Sequence, residues 1–199
     1  MSRFPLVDRH VAPSARPLVA TALIAGMVMS AGIVLFIGGE MLTDPGGWTG
    51  AGLVAAWLVL PVVVAVVALL RPAWGLVIAA GCVGLLVLAS VASWFASDEI
   101  AAFEDSHGPV LLIAGIAVWL PLIALGRSRP LAAGILLFAA TLLPIVLQAG
   151  VLVVQGAGMV IVSLMIVSTP FVLLGMLLVA AGIVDTQARR RLDAGSVNT

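Results

Sequence analysis

The sequence contains no lysine, a single cysteine and few charged residues of any kind. Charged residues make up only 9% of its 199 positions, whereas a typical soluble domain has about 25%. Hydrophobic residues make up 63%, and they run in blocks rather than at the spacing of an amphipathic helix, which indicates helices that face lipid. The composition therefore predicts an integral membrane protein and disfavours a soluble globular core.

The charges that are present exclude a further class of protein. All nine basic residues are arginine, nine acidic residues balance them, and the formal net charge is zero. No basic surface of the kind that holds nucleic acid is expected, so nucleic acid is not a predicted partner. The only cysteine, Cys82, lies in an apolar run, where it cannot form an intramolecular disulfide and acts as a small packing residue.

Charged residues divide the chain into apolar windows. A membrane span needs about 20 apolar residues; the windows that each hold one are 17–39, 45–70, 72–97 and 106–126. The window 130–184 also carries no charge, and as a single helix it would be roughly 80 Å long against a hydrocarbon core of about 30 Å. It must turn once, and we expect the turn at the glycine-containing stretch 155–158.

The predicted fold is therefore all-α, a polytopic bundle of six transmembrane helices. The expected spans are about 17–38, 51–70, 73–95, 109–126, 131–154 and 159–184. Residues 1–16 and 185–199 are expected to be tails outside the membrane. The arginines of the first segment resemble the start of a signal peptide, but the apolar stretch that follows exceeds the usual ~7–15 residues, so we interpret it as a retained first span.

The distribution of arginine predicts the orientation, because cytoplasmic loops of membrane proteins retain basic residues. With the N-terminus inside, all nine arginines fall in inner segments. Five spans would place the Arg189-Arg190-Arg191 run outside, so six are preferred and both termini are predicted to be cytoplasmic. The arginine-only, Ala/Val/Leu/Gly-rich composition is typical of a GC-rich genome, and we assign the chain to the cytoplasmic membrane of a bacterium, with the lipid bilayer as its first partner.

No Asp, Glu, Lys, Arg or His lies inside a predicted span. Ionisable groups at membrane depth mark proton relays and ion pathways, so a proton pump or a carboxylate-based ion-coupled carrier is disfavoured. Walker-type phosphate loops and the His–acid clusters of metal hydrolases are also absent from the sequence. The serines within spans lack a Lys or His to activate them. We therefore predict a protein that is not an enzyme and has no cofactor.

One predicted outer loop gathers acidic residues and a histidine. Its candidates for holding a hard divalent cation are Asp98, Glu99, Glu104, Asp105 and His107. The alternative is a short helix in the membrane interface, with Ile100 and Phe103, three residues apart, facing lipid and the acids facing water. The alternative is favoured and no metal is assigned, because a solvated acidic face needs no ligand.

Polar side chains inside the spans suggest a second candidate, an intramembrane polar site. Its residues are Trp119, Thr141, Gln148 and Thr169. The amide of Gln148 either bonds across helices, which strengthens packing, or lines a binding site, and the packing role is favoured.

Prolines interrupt four of the spans and tend to kink their helices. They are Pro61, Pro121, Pro144 and Pro170. We expect hydroxyl groups nearby in the sequence to bond the carbonyl groups that these prolines free; the candidates are Thr141, Ser168 and Thr169.

Small residues recur every four positions on two spans and predict helix-packing faces, because they let helices approach closely. They are Ala22, Gly26 and Ser30 on the first span and Ala80 and Gly84 on the third. The spacing leaves open whether the neighbouring helix is intramolecular or belongs to a partner.

Two functions are compatible with these features. The preferred one is a non-catalytic subunit or assembly factor of a larger membrane complex, in contact with another membrane protein or with further copies of itself. It accounts for the absence of embedded charge and of any catalytic set. The alternative is a small permease or membrane solute-binding subunit for an uncharged or lipophilic solute, with proline-containing helices around Trp119, Gln148 and Thr169.

Overall fold

The computed structural model describes residues 11–43, 47–96, 99, 102, 110–154 and 158–196. Over these residues the chain forms helices and turns and contains no strand. The six helices of the described ranges are α1 (Arg16–Thr43), α2 (Gly47–Leu70), α3 (Pro72–Ala92), α4 (Val110–Leu125), α5 (Pro130–Val154) and α6 (Gly158–Ser196). The predicted all-α fold is confirmed.

Four helical segments are long and apolar enough to cross a membrane. They are Arg16–Ile33, Pro72–Ala92, Pro130–Leu147 and Ser168–Leu192. Two further apolar segments are shorter than these four. They are Leu58–Leu70 within α2 and α4, which has 16 residues. Large apolar side chains also point outward, among them Leu35, which is 76% exposed. The chain is therefore a helical membrane protein whose outer surface suits lipid, and the number of six spans stays a prediction.

The core lies where α1, α4, α5 and α6 meet. Phe171, Leu122, Leu137 and Leu178 are among its fully buried side chains. Between lipid-embedded helices such packing stabilises through van der Waals contact rather than through the hydrophobic effect, because lipid tails are as apolar as leucine. The core therefore depends on close fit between helices.

Glycine provides much of that fit between α5 and α6, which form the most extensive helix pair of the bundle. A Cβ atom on Gly182 would lie 2.6 Å from the Leu131 backbone nitrogen, and one on Gly134 would lie 2.8 Å from the Val179 backbone nitrogen. Because no side chain fits at either position, the two backbones can approach closely.

The turn between α2 and α3 consists of one non-helical residue, Arg71. Its N–H donates to the Val67 carbonyl over 2.7 Å, and its own carbonyl accepts from the Gly75 N–H over 2.9 Å. Pro72 opens α3, where a missing N–H costs no helical hydrogen bond. Pro130 is likewise the first residue of α5. In both arginine-containing turns, a proline therefore begins the helix that follows.

Ordered structure continues outside the expected spans at both ends of the bundle. α6 runs past the expected span end at residue 184 to Ser196. Residues 11–15 form a turn packed against the bundle, in which Val11 is 1% and Ala15 0% exposed. A hydrogen bond of 2.7 Å from the Ala12 N–H to the carboxylate of Asp185 joins this segment to α6.

Candidate functional site

Two aromatic rings meet in the bundle interior. Trp119 on α4 and Phe171 on α6 have ring centroids 3.7 Å apart and planes inclined by 30°. Trp119 is 5% exposed and Phe171 is fully buried. Both rings are large and closely packed, so each restricts the rotamers of the other and the indole is held in a defined orientation.

Helix geometry places Ser30 of α1 near the level of Trp119. Gly26 packs against Ile123 so closely that a Cβ atom there would lie 2.9 Å from two Ile123 side-chain atoms. α1 and α4 run antiparallel, so one helical turn from this contact leads to Ser30 on α1 and to Trp119 on α4. Ser30 is 8% exposed.

Thr141 of α5 completes what we term the mid-depth layer, defined as Ser30, Trp119, Thr141 and Phe171. Gly175 of α6 lies against the Phe138 ring of α5, and a step of about one turn along these antiparallel helices leads to Thr141 and Phe171. Thr141 is 2% exposed, and its hydroxyl donates to the Leu137 carbonyl over 2.7 Å. Its hydrogen-bonding capacity as a donor is therefore used within its own helix.

The depth of this layer follows from helix geometry. Trp119 precedes Arg127 by about 12 Å and Phe171 precedes Asp185 by about 21 Å at 1.5 Å per residue. Half the thickness of a bilayer hydrocarbon core is about 15 Å. With Arg127 and Asp185 at one membrane boundary, the layer therefore lies near the middle of the hydrocarbon core.

Two polar atoms of the layer have no hydrogen-bond partner. Among the residues that the structure describes, the buried unpartnered side-chain atoms are Ser30 Oγ and Trp119 Nε1. A buried polar group left unpaired costs about 1–3 kcal/mol. Two such groups at one level of two contacting helices are a candidate binding site for a polar group.

The structure describes the side chains of three of the four residues in the predicted intramembrane polar site. Trp119 and Thr141 lie in the mid-depth layer, whereas Thr169 is exposed on the bundle surface. The side chain of Gln148 lies outside the described residues. Sequence reasoning missed Phe171 and assigned Ser30 only to helix packing; the available signal was a hydroxyl group on a face otherwise made of Ala22 and Gly26.

The expected role of Thr141 next to a helix proline is wrong. Pro144 frees the carbonyl of Ala140, four residues earlier, but the Thr141 hydroxyl bonds the Leu137 carbonyl instead. This choice reflects helix geometry, since a threonine hydroxyl reaches the carbonyl four residues before it. Thr141 therefore does not compensate the proline.

The structure describes one of the five candidate residues of the acidic loop. Asp98, Glu104, Asp105 and His107 lie outside the described residues, and Glu99 is exposed. Within the described ranges, no group of three or more His, Cys, Asp or Glu side chains lies close enough together to hold a metal ion.

One end of the bundle, which we term the arginine end, carries every arginine that the structure describes. They are Arg16, Arg71, Arg127, Arg129, Arg189, Arg190 and Arg191. Asp185, with a side chain 13% exposed, forms an ion pair of 3.0 Å with Arg189 while it also accepts from Ala12. The Arg16 Nε–H donates to the Val11 carbonyl over 2.9 Å. Of these bonds, the one between Ala12 and Asp185 attaches the segment before α1 to α6.

The two predicted small-residue faces lie in opposite environments. Ala22, Gly26 and Ser30 are buried, with Gly26 against Ile123. Ala80 and Gly84 are exposed, and a Cβ atom on Gly84 or on the adjacent Gly81 would meet nothing within 4 Å. We term Ala80, Gly81 and Gly84 the α3 glycine face.

Comparisons of the chain with protein-family models, with curated proteins and with solved structures found no match. The features that bear on function are therefore those of the chain itself: the mid-depth layer, the α3 glycine face and the arginine end.

Proposed function

We propose that this chain is a non-catalytic subunit or accessory factor of a larger membrane complex. The supporting observation is the α3 glycine face, which points away from the bundle although glycine and alanine are the residues that let membrane helices pack closely. Inside the bundle, Gly134 and Gly182 serve such packing. On α3 the same residue types meet no helix of the described chain.

The surroundings of the α3 glycine face suit a partner helix. Val77, Leu85 and Leu88 are 65%, 68% and 65% exposed on the same helix. Large side chains beside small ones make a shallow groove into which the side chains of a neighbouring helix can insert. The proposed occupant is a transmembrane helix of another membrane protein.

The proposed orientation is six spans with both termini in the cytoplasm of a bacterial cell. The support is that the arginine end combines both termini of the bundle with the turns at Arg71 and Arg127, and cytoplasmic segments retain arginine. Reporter fusions at these turns should report a cytoplasmic location. A fusion at either turn that is active outside the cell would contradict this topology.

The subunit function is tested by purification of the tagged protein in lipid nanodiscs from cells at native expression level, with mass spectrometry of co-purifying proteins. We expect a stoichiometric membrane protein with the wild type and its loss with Gly84→Leu. Gly32→Leu is the matched control, because Gly32 is also an exposed helix glycine with open space around it. Recovery of the bundle alone from the wild type, or equal recovery of the partner with both variants, would reject the docking face.

A second function is favoured by a separate observation. The unpartnered Ser30 Oγ and Trp119 Nε1 atoms at mid-depth support a small permease or membrane solute-binding protein for an uncharged or lipophilic solute. The same nanodisc preparation tests it, because a specific small molecule bound to an otherwise solitary protein would favour this function over the first.

A further inference from the structure

We infer that Ser30 and Trp119 together bind one neutral acceptor oxygen, such as the carbonyl of a lipophilic ketone or ester, between α1 and α4. The inference rests on the second function proposed above and names the chemical class of its solute. The observations behind it are that Ser30 Oγ and Trp119 Nε1 are buried without a partner and that their helices touch four residues away, at Gly26 and Ile123. Helix geometry then places the two residues near one level.

Ser30 differs from other hydroxyl-bearing residues of this chain. The hydroxyls of Ser90, Thr141 and Thr186 each donate to the carbonyl four residues earlier, over 2.9, 2.7 and 2.8 Å. The equivalent acceptor for Ser30 is the Gly26 carbonyl, yet Ser30 Oγ makes no such bond. The bond that local helix geometry favours is thus not formed, and the hydrogen-bonding capacity of the Ser30 hydroxyl is unused within the described protein.

The chemistry of the two groups specifies what they bind. The indole N–H is a donor only, and the serine hydroxyl donates or accepts. A single partner that satisfies both groups as donors must present an oxygen with two lone pairs, which a carbonyl provides. A purely donating group, such as a protonated amine, would leave the indole unpaired, and a neutral amine has one lone pair and could accept from only one of the two groups.

The surroundings exclude a charged solute. All residues of the mid-depth layer are uncharged, and an ion at this depth without a counter-charge would pay a large desolvation cost. Ile123 closes the site on the Gly26 side, and the Phe171 ring lies against the indole. Apolar walls around two hydrogen-bond donors suit a lipophilic molecule with a single polar group.

The test measures equilibrium binding of 2-undecanone to the purified protein in nanodiscs, with binding to lipid-only nanodiscs subtracted and undecane as the matched probe without an acceptor. We expect saturable binding of the ketone and none of the alkane. Ser30→Ala and Trp119→Phe, which keeps an aromatic ring next to Phe171, should each weaken binding about fivefold, as expected for one hydrogen bond.

Ser90→Ala is the control, because it removes a serine hydroxyl that is 5% exposed as a residue but bonded within its own helix; we expect unchanged ketone binding. Equal binding of ketone and alkane, or ketone affinity unchanged by both Ser30→Ala and Trp119→Phe, would overturn the inference. Comparison of melting temperatures identifies any variant that fails to fold, and the other substitution then decides.

Failure of this inference is distinguishable from failure of the solute-binding function. An endogenous solute that co-purifies equally with wild type, Ser30→Ala and Trp119→Phe would reject this site but retain the function. If neither an endogenous solute nor the ketone binds the wild type, both are rejected.

Discussion

The pair α5–α6 and the pair α2–α3 are both antiparallel and both contain glycine, yet they use it differently. In α5–α6, Gly134 and Gly182 face the backbone of the neighbouring helix at separate points along the contact. In α2–α3, close approach occurs at Gly75, where an added Cβ would lie 2.8 Å from the Ala68 Cβ beside the turn. Farther along α3, Gly81 and Gly84 have open space around them.

The difference shows that glycine content alone does not identify a packed interface. A glycine contributes to helix packing only where another backbone lies opposite it, since its advantage is the absence of a Cβ. The α5–α6 pair is thus part of the core, while the outer part of α3 is available for lipid or for a partner.

The largest effect on the free energy of unfolding is expected in the α5–α6 pair. Gly182→Ala should lower the free energy of unfolding by about 3 kcal/mol, because the new Cβ would collide with the Leu131 backbone and the helices must separate. Gly175→Ala is the matched control on the same helix, since its Cβ would lie 3.5 Å from the Gly134 carbonyl oxygen, an ordinary contact. Denaturation in mixed micelles measures both. Equal stability of the two variants would mean that α5 and α6 do not approach as closely as described.

The hydrogen bond that attaches the segment before α1 to α6 is tested at the arginine end. Asp185→Ala should cost about 2 kcal/mol, because the part-buried Ala12 N–H loses its acceptor. Arg190→Ala, an exposed position on the same helix, should change stability little. Thermal unfolding of the two variants checks this, and a loss no larger for Asp185→Ala than for Arg190→Ala would show that the contact adds nothing to stability.

A smaller effect of opposite sign is expected in the mid-depth layer. In solute-free protein, Ser30→Ala should raise the free energy of unfolding by about 1 kcal/mol, because it removes a buried hydroxyl without a partner. Ser90→Ala removes a hydroxyl that is already bonded and should give no such gain. Denaturant titration distinguishes the two, and destabilisation by Ser30→Ala would indicate that its hydroxyl is satisfied by the protein.

The smallest effect is expected on the α3 glycine face. Gly84→Ala should change the stability of the isolated bundle by about 0.5 kcal/mol, in the stabilising direction, because alanine favours a helix over glycine and the added methyl group meets nothing. The same denaturation assay measures it. A loss comparable to that of Gly182→Ala would remove the distinction between the two pairs.

Much of the secondary structure was predictable from charge and composition. A helix, α5 (Pro130–Val154), lies where the span 131–154 was expected, because arginine and proline mark its start; the bounds of the span itself stay a prediction. The ends of α1 and α6 were less predictable. Residues 11–15 and the helix beyond Val184 pack together through Asp185, and a single sequence does not reveal a hydrogen bond between residues so far apart in the chain.

The candidate site shows the same division. Residue types along the chain indicate lipid-facing helices, because the apolar runs exceed what a soluble protein can bury, and they identify Trp119 as a candidate polar side chain within such a run. Ser30 and Phe171 became part of the site only through tertiary contacts. Helical periodicity predicts which residues share a face of one helix. The contact of Gly26 with Ile123 decides which residues of α4 lie opposite that face of α1. The register between helices depends on side-chain fit across the whole interface, and so the position of Ser30 relative to Trp119 was decided by the folded structure alone.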